Sequence, residues 1–271
     1  MSVDFQTEQI VRRMYLDLMK KCLSREILPE HFRRIPRNDK TWWRSVRSNA
    51  YGLVNRALGT RGFALVQAGV PDGETMIGMA RLDNLQECIT DILENDVPGD
   101  LIETGVWRGG ATIFMKAVLA AYGDTTRTVW LADSFRGLPR PDEVRYPADR
   151  GDRLWTLALD TGVEMVRGNF TRYGLLDDRV RFLEGWFKDT LPSAPIDRLS
   201  LLRLDGDLYE STIQALDALY PKLSAGGYCI VDDYGAIPAC RQAVEDYRST
   251  HGITEPIKRI DETGVFWKRQ Q

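Results

Sequence analysis

The sequence predicts a doubly wound, mostly parallel α/β fold with a seven-stranded sheet. Three observations carry this. Near-continuous apolar runs at Leu199–Leu204 and Gly227–Val231 read as strands buried on both faces. Strand-like runs alternate with helix-like periods from Asp100 onwards. The last apolar run is half of a hairpin, Ile257–Ile260 turning through Asp261–Gly264 into Val265–Lys268, which puts an antiparallel edge on the sheet.

In chain order, the apolar residues Val11, Met14, Tyr15, Leu18, Met19 and Cys22 fall on one face of a helix over about 7–23. Between Arg25 and Arg61 nine basic residues stand against three acids, with His31, Phe32, Trp42, Trp43 and Tyr51 interleaved. Such a segment suits an arm that packs on the domain, on a second subunit or over a substrate. We therefore divide the chain into an N-terminal helical and basic arm, 1–74, and a main domain, 75–271. Thr75 is expected to cap a helix running to about Asp96, ahead of the Pro98-Gly99 turn. A strand at Asp100–Thr104 leads through a glycine turn into a helix at Ala111–Tyr122. A second strand, Thr128–Ala132, ends in Asp133-Ser134-Phe135. The connection 136–178, with Pro139, Pro141 and Pro147 early and a short helix near 153–159, is long enough to be a lid insert. A third strand, Arg179–Leu183, ends in Glu184-Gly185-Trp186. Helices at about Ser211–Leu223 and Pro238–Tyr247 flank the final parallel strand.

Composition narrows the function. With 271 residues, 43 % of them apolar, the chain suffices for one large domain, and its net charge of −3 disfavours nucleic acid as a partner. No apolar run approaches a membrane span, and the first residues lack a basic stretch followed by an apolar one. Cys22, Cys88, Cys229 and Cys240 have no metal-ligand spacing and read as reduced thiols of a cytoplasmic protein.

The chemistry gathers at strand ends. Leu199–Leu204 runs into Asp205-Gly206-Asp207, and Gly227–Val231 runs into Asp232-Asp233. On neighbouring strands, ~4.8 Å apart, these carboxylates cannot all stay ionised without a counter-charge. An all-oxygen set favours magnesium, calcium or manganese over zinc. The first strand carries Glu103-x-Gly105-x-x-x-Gly109, with Trp107 where a dinucleotide-binding turn needs glycine. That argues against a nicotinamide oxidoreductase. Glu103 can hold an ammonium group and Asp133 can accept from both ribose hydroxyls. A ligand with a ribose, an amino-acid ammonium and no pyrophosphate is S-adenosylmethionine.

Longer strings agree with this reading. Glu103-Thr-Gly-Val-Trp-Arg-Gly-Gly110, Ala132-Asp-Ser-Phe135, Asn169–Asp178, Gly185-Trp-Phe-Lys-Asp-Thr190, Asp205-Gly-Asp207, Asp232-Asp-Tyr234 and Ile237-Pro-Ala-Cys-Arg241 resemble the macrocin O-methyltransferase (TylF-like) family over about 75–268. The resemblance implies a class I, Rossmann-like methyltransferase that uses S-adenosylmethionine and magnesium. Its acceptor would be a deoxysugar hydroxyl of a glycosylated antibiotic. It further implies Asp205, Asp232 and Asp233 as metal ligands, Asp207 as general base, Met76 near the acceptor, and a homodimer or larger assembly. Around the donor it places Glu103, Thr104, Gly105, Trp107, Asp133, Ser134, Gly185 and Trp186. Tyr209, Lys188 and the insert's Arg136, Arg140 and Arg145 are further substrate candidates. His31 and His251 are isolated and unsuited to catalysis. A catechol-type methyltransferase would use the same metal logic on a phenol. The segment 25–72 is longer and more basic than the family pattern.

Overall fold

The computed structural model describes residues 5–27, 73–157 and 159–270; most of the basic segment, with His31, Trp42 and Trp43, lies outside them. The sheet has seven strands: β1 Asp100–Thr104, β2 Val129–Asp133, β3 Val180–Glu184, β4 Leu199–Leu204, β5 Leu223–Val231, β6 Lys258–Arg259 and β7 Val265–Lys268. Their order is β3-β2-β1-β4-β5-β7-β6. β1 to β5 pair in parallel, while β7 pairs antiparallel with both β5 and β6. The expected parallel sheet with an antiparallel edge is therefore present.

Seven α-helices accompany the strands among the described residues: α1 Phe5–Leu23, α2 Met79–Glu94, α3 Gly110–Ala121, α4 Val163–Arg172, α5 Phe187–Thr190, α6 Tyr209–Leu219 and α7 Pro238–Thr250. Alternation along each strand splits the core in two. Leu101, Leu131, Leu201 and Ile230 pack with α1, α2 and α3. Ile102, Ala132, Leu202, Leu204 and Val231 pack with α6 and α7. α1 buries Leu16, Met19 and Leu23, so the N-terminal helix is fastened to the main domain. Among the described residues the cysteines are unpaired and no helix is long and apolar enough to cross a membrane.

Two elements differ from the sequence reading. α2 begins at Met79, not at Thr75, and Gly78 provides its N-cap. The Thr75 hydroxyl accepts the Ile77 amide at 3.2 Å, so it closes a local turn instead of capping a helix. The freed segment, 74–77, lines a cavity that also reaches Asp205 and Asp232. The connection 136–178 contains a true crossover helix, α4, whose Val166 and Phe170 are buried one turn apart. Only 134–162 is an irregular insert, with short 3-10 turns at Pro147–Asp149 and Leu154–Thr156.

Candidate active site

Parallel pairing carries the ladder one residue past each strand end. The Gly105 amide donates to Ala132, Asp205 to Thr104, Asp232 to Leu204 and Gly185 to Asp133, at 2.8–2.9 Å. Gly105, Asp205, Asp232 and Gly185 are thus lined up along the carboxyl edge, where open α/β sheets bind ligands. Three residues there other than glycine adopt left-handed backbone: Trp107 (φ 47°), Phe135 (φ 54°) and Asp207 (φ 61°). Such conformations cost about 1–3 kcal/mol each and concentrate at functional sites.

The acidic residues converge as expected. Asp205, Asp232 and Asp233 each offer a carboxylate oxygen, and the three oxygens lie within 4.8 Å of one another. Asp207 stands beside them; burial, then the charges of Asp205 and Asp232, push its carboxyl up to about 8. The Asp232 carboxyl rises to about 6, first from burial, and Asp233 rises well above the ordinary carboxylate range for the same first reason. One buried oxygen of Asp233, Oδ2, has no hydrogen-bond partner among the described residues.

The counter-charge within the protein comes from two arginines. Arg203, the lone cation in the apolar run of β4, is 1 % exposed. Its Nη1 donates to Glu103 at 2.5 Å and to Asp205 at 2.7 Å, and its Nη2 donates to Asp232. Burial disfavours this charge, but the three carboxylates outweigh burial and hold it cationic. From α2, Arg81 donates to Asp232 and Thr263 and, through Nε, to Asp261 at 2.8 Å. Among the described residues these two guanidiniums pair with Glu103, Asp205 and Asp232 in the pocket. Neither arginine was expected at the site. A single arginine inside a buried strand was the available signal for Arg203, since such residues are almost never buried without partners. Arg81 lies on an amphipathic helix, where nothing local distinguishes it.

A cavity of about 370 Å³ opens over Gly105, Trp107, Asp133, Ser134, Gly185 and Trp186, and reaches Asp205 and Asp207. A smaller one of about 150 Å³ lies over Glu103, Asp232 and Asp233 and is walled by Leu138, Leu154, Leu157 and Leu159. Met76, Trp107, Asp205 and Asp207 line both. Arg140, Arg145 and Lys188 edge the larger cavity.

Several expected residues have roles beyond those read from the sequence. Asp133 already accepts Val106 and Phe135 amides at 2.7 Å and the Trp107 amide at 3.3 Å. A carboxylate has about four acceptor sites, so it shapes the glycine turn and keeps room for about one further donor, not the two expected. Glu103 is 2 % exposed, and burial pushes its carboxyl up to about 8 against the pull of Arg203. Its Oε2 has no partner among the described residues. Ser134 bridges the start of the insert, donating to Gly137 at 2.7 Å. Thr104 is buried within β1 and is absent from the lining of both cavities; it contributes its carbonyl to the Asp205 amide. Tyr209, expected at the substrate, turns away: its hydroxyl bonds Asp246 at 3.0 Å and its ring meets Tyr146.

Gly105 is the tightest point of the turn. At φ +86°, a Cβ there would stand 1.7 Å from the Asp205 carbonyl oxygen. Gly105→Ala must displace that strand end, and overpacking of this kind costs about 1–3 kcal/mol. We expect its affinity for S-adenosylhomocysteine to fall roughly tenfold or more by titration calorimetry. Wild-type affinity would remove this turn from the donor site.

Comparison with known proteins agrees with this geometry. A model of the macrocin-O-methyltransferase (TylF) family matches residues 12–269. The 8-demethyl-8-(2,3-dimethoxy-alpha-L-rhamnosyl)-tetracenomycin-C 4'-O-methyltransferase of Streptomyces olivaceus is 52 % identical over 259 residues, spanning 95 % of this chain and 93 % of that protein. The mycinamicin III 3''-O-methyltransferase of Micromonospora griseorubida is 45 % identical over 267 residues, spanning 94 % and 96 % respectively. The solved structure of the O-methyltransferase NovP has a TM-score of 0.81 at 44 % identity, covering 96 % of this chain and all 100 % of that one. With sheet, glycine turn and strand-end acids in place, the chain belongs to the macrocin-O-methyltransferase family and is an S-adenosylmethionine-dependent O-methyltransferase.

Proposed function

We propose that the protein methylates one hydroxyl of a vicinal diol on the sugar of a glycosylated natural product, with Asp207 as general base and a divalent cation held by Asp205, Asp232 and Asp233. The observation that carries this is the meeting of three carboxylates from two adjacent strand ends within 4.8 Å, beside a cavity built on the glycine turn. The residues fit a hard cation. The donor set is all oxygen, and Asp233 Oδ2 has no hydrogen-bond partner among the described residues. They also fit the methyl donor. Glu103 Oε2 is a buried acceptor on the smaller cavity that an ammonium would satisfy, and Asp133, Ser134, Gly185 and Trp186 suit a nucleoside.

S-adenosylmethionine supplies an activated methyl group on a sulfonium, so the difficulty lies in the nucleophile. An alcohol about as acidic as water has a pKa near ~15.7. Against an ordinary aspartate at ~3.9 the gap is about 12 units, or roughly 16 kcal/mol. Burial and the neighbouring charges of Asp205 and Asp232 raise the proton affinity of Asp207, which narrows that gap. A divalent cation at the three aspartates would lower the acidity barrier of a hydroxyl coordinated to it. Asp207 is placed to take the proton from the acceptor hydroxyl, while Trp107 and Met76 wall the junction of the two cavities. The leucines at 138, 154, 157 and 159 present an apolar surface suited to a deoxysugar or to the body of the natural product.

The two relatives above are named for methylating rhamnosyl-tetracenomycin and mycinamicin III, which supports a sugar acceptor. We further read the protein as a cytoplasmic homodimer or larger assembly, as the family resemblance implies. The test is a panel assay with labelled S-adenosylmethionine and magnesium chloride. It would include tetracenomycin and macrolide rhamnosides and deoxyglycosides, their aglycones, and catechol. Turnover confined to glycosides with adjacent free hydroxyls is expected. Turnover of catechol or an aglycone in their place would overturn the sugar assignment.

A further inference from the structure

The loop that carries Asp207 is held from outside its own helix. Asp207 is left-handed at φ 61°, a conformation that an aspartate keeps only when its surroundings enforce it. Immediately after it, α6 starts with Leu208 at its N-cap, and no side chain of its own caps the exposed amides. The cap arrives from sixty residues away. Asp149, 1 % exposed, accepts the Tyr209 amide through Oδ1 at 2.7 Å and the Glu210 amide through Oδ2 at 2.9 Å. Around this pair the Asp142 amide donates to Glu210 at 3.3 Å, and the Tyr146 and Tyr209 rings lie 6.1 Å apart.

Asp149 belongs to the insert, whose two ends are tied down separately. Ser134 bonds Gly137 at one end, and Thr161 bonds the Trp107 carbonyl at 2.7 Å at the other. Between these ties, the same stretch supplies Leu138, Arg140, Arg145, Leu154 and Leu159 to the cavities. One carboxylate therefore joins the cavity wall to the first turn of the helix that begins two residues after Asp207.

We infer that Asp149 is a positioning residue that clasps the 134–162 insert onto α6, so that insert closure and placement of Asp207 are one event. The inference rests on Asp207 being the base. It predicts that loosening the clasp harms the chemical step itself, beyond any weakening of acceptor binding.

The variants are Asp149→Ala, which removes both acceptors, and Asp149→Asn, which keeps one. Loss of a cap lowers Tm by only a few degrees in a domain of this size, so both should fold. Three readouts are taken: the rate of tryptic cleavage at Arg145, Arg150 and Arg153, the affinity for S-adenosylhomocysteine, and kcat at saturating acceptor, using the glycoside turned over fastest in the panel above. For Asp149→Ala we expect cleavage in the insert about tenfold faster and kcat down about tenfold or more, with Asp149→Asn between it and wild type. Unchanged cleavage, or a rise in acceptor KM with kcat intact, overturns the inference. An active Asp207→Ala enzyme would sink the base assignment instead, and the cleavage rates, which do not depend on the chemistry, keep the two failures apart.

Discussion

Asp207→Ala is expected to lower kcat by about 10³-fold, the middle of the range for loss of a positioned general base, while S-adenosylhomocysteine still binds within about threefold of wild type. The geometry sets this expectation. Asp207 lies where the two cavities meet, and burial, followed by the charges of Asp205 and Asp232, raises its proton affinity. A base of ordinary acidity would leave a gap too steep for an alcohol; this one is closer to its task. Asp207→Asn separates base from ligand, since it keeps the shape. Its activity should fall like that of alanine, with Mn2+ affinity nearly unchanged. A loss of Mn2+ binding of more than about tenfold would make Asp207 a metal ligand, and near-normal turnover of either variant would remove it from the mechanism.

The second large effect is on metal removal. Dialysis against EDTA should reduce turnover to background, and magnesium should restore it, because Asp205, Asp232 and Asp233 supply hard oxygen ligands. Arg203 and Arg81 each hold Asp232, and Arg203 also fixes Asp205, so these two carboxylates are oriented before any cation arrives. EDTA leaves these buried arginine partners in place. The chelated protein should therefore stay folded, with its arginine pairs intact, while losing activity. Full activity in EDTA would contradict the role given to the three aspartates.

Most of the sheet was legible in the sequence because buried parallel strands announce themselves as apolar runs, and the strand-end acids followed at once. Asp205 and Asp232 fall next to each other because β4 and β5 pair in register from Leu201–Tyr228 to Leu204–Val231, the last pair before them. What escaped was set by tertiary structure. The start of α2 was misplaced because Thr75 has the chemistry of a cap, yet its hydroxyl is satisfied by Ile77 two residues on. α4 was hidden in a polar stretch with a glycine at 168, its helical signal resting on little more than Val166 and Phe170. Tyr209 follows the aspartate pair directly and so looked like a substrate contact, but the first turn of α6 swings it toward Asp246. Arg81, Arg203 and Asp149 act through partners 151, 100 and 60 residues distant, a separation that no local pattern encodes.

Anomalous diffraction from a crystal grown with Mn2+ and S-adenosylhomocysteine tests the central claim most directly. We predict one anomalous peak at coordination distance from a carboxylate oxygen of each of Asp205, Asp232 and Asp233, with the sulfur of the ligand facing Asp207 across the cavity junction. A peak elsewhere, or none at millimolar Mn2+ with the ligand bound, would contradict it.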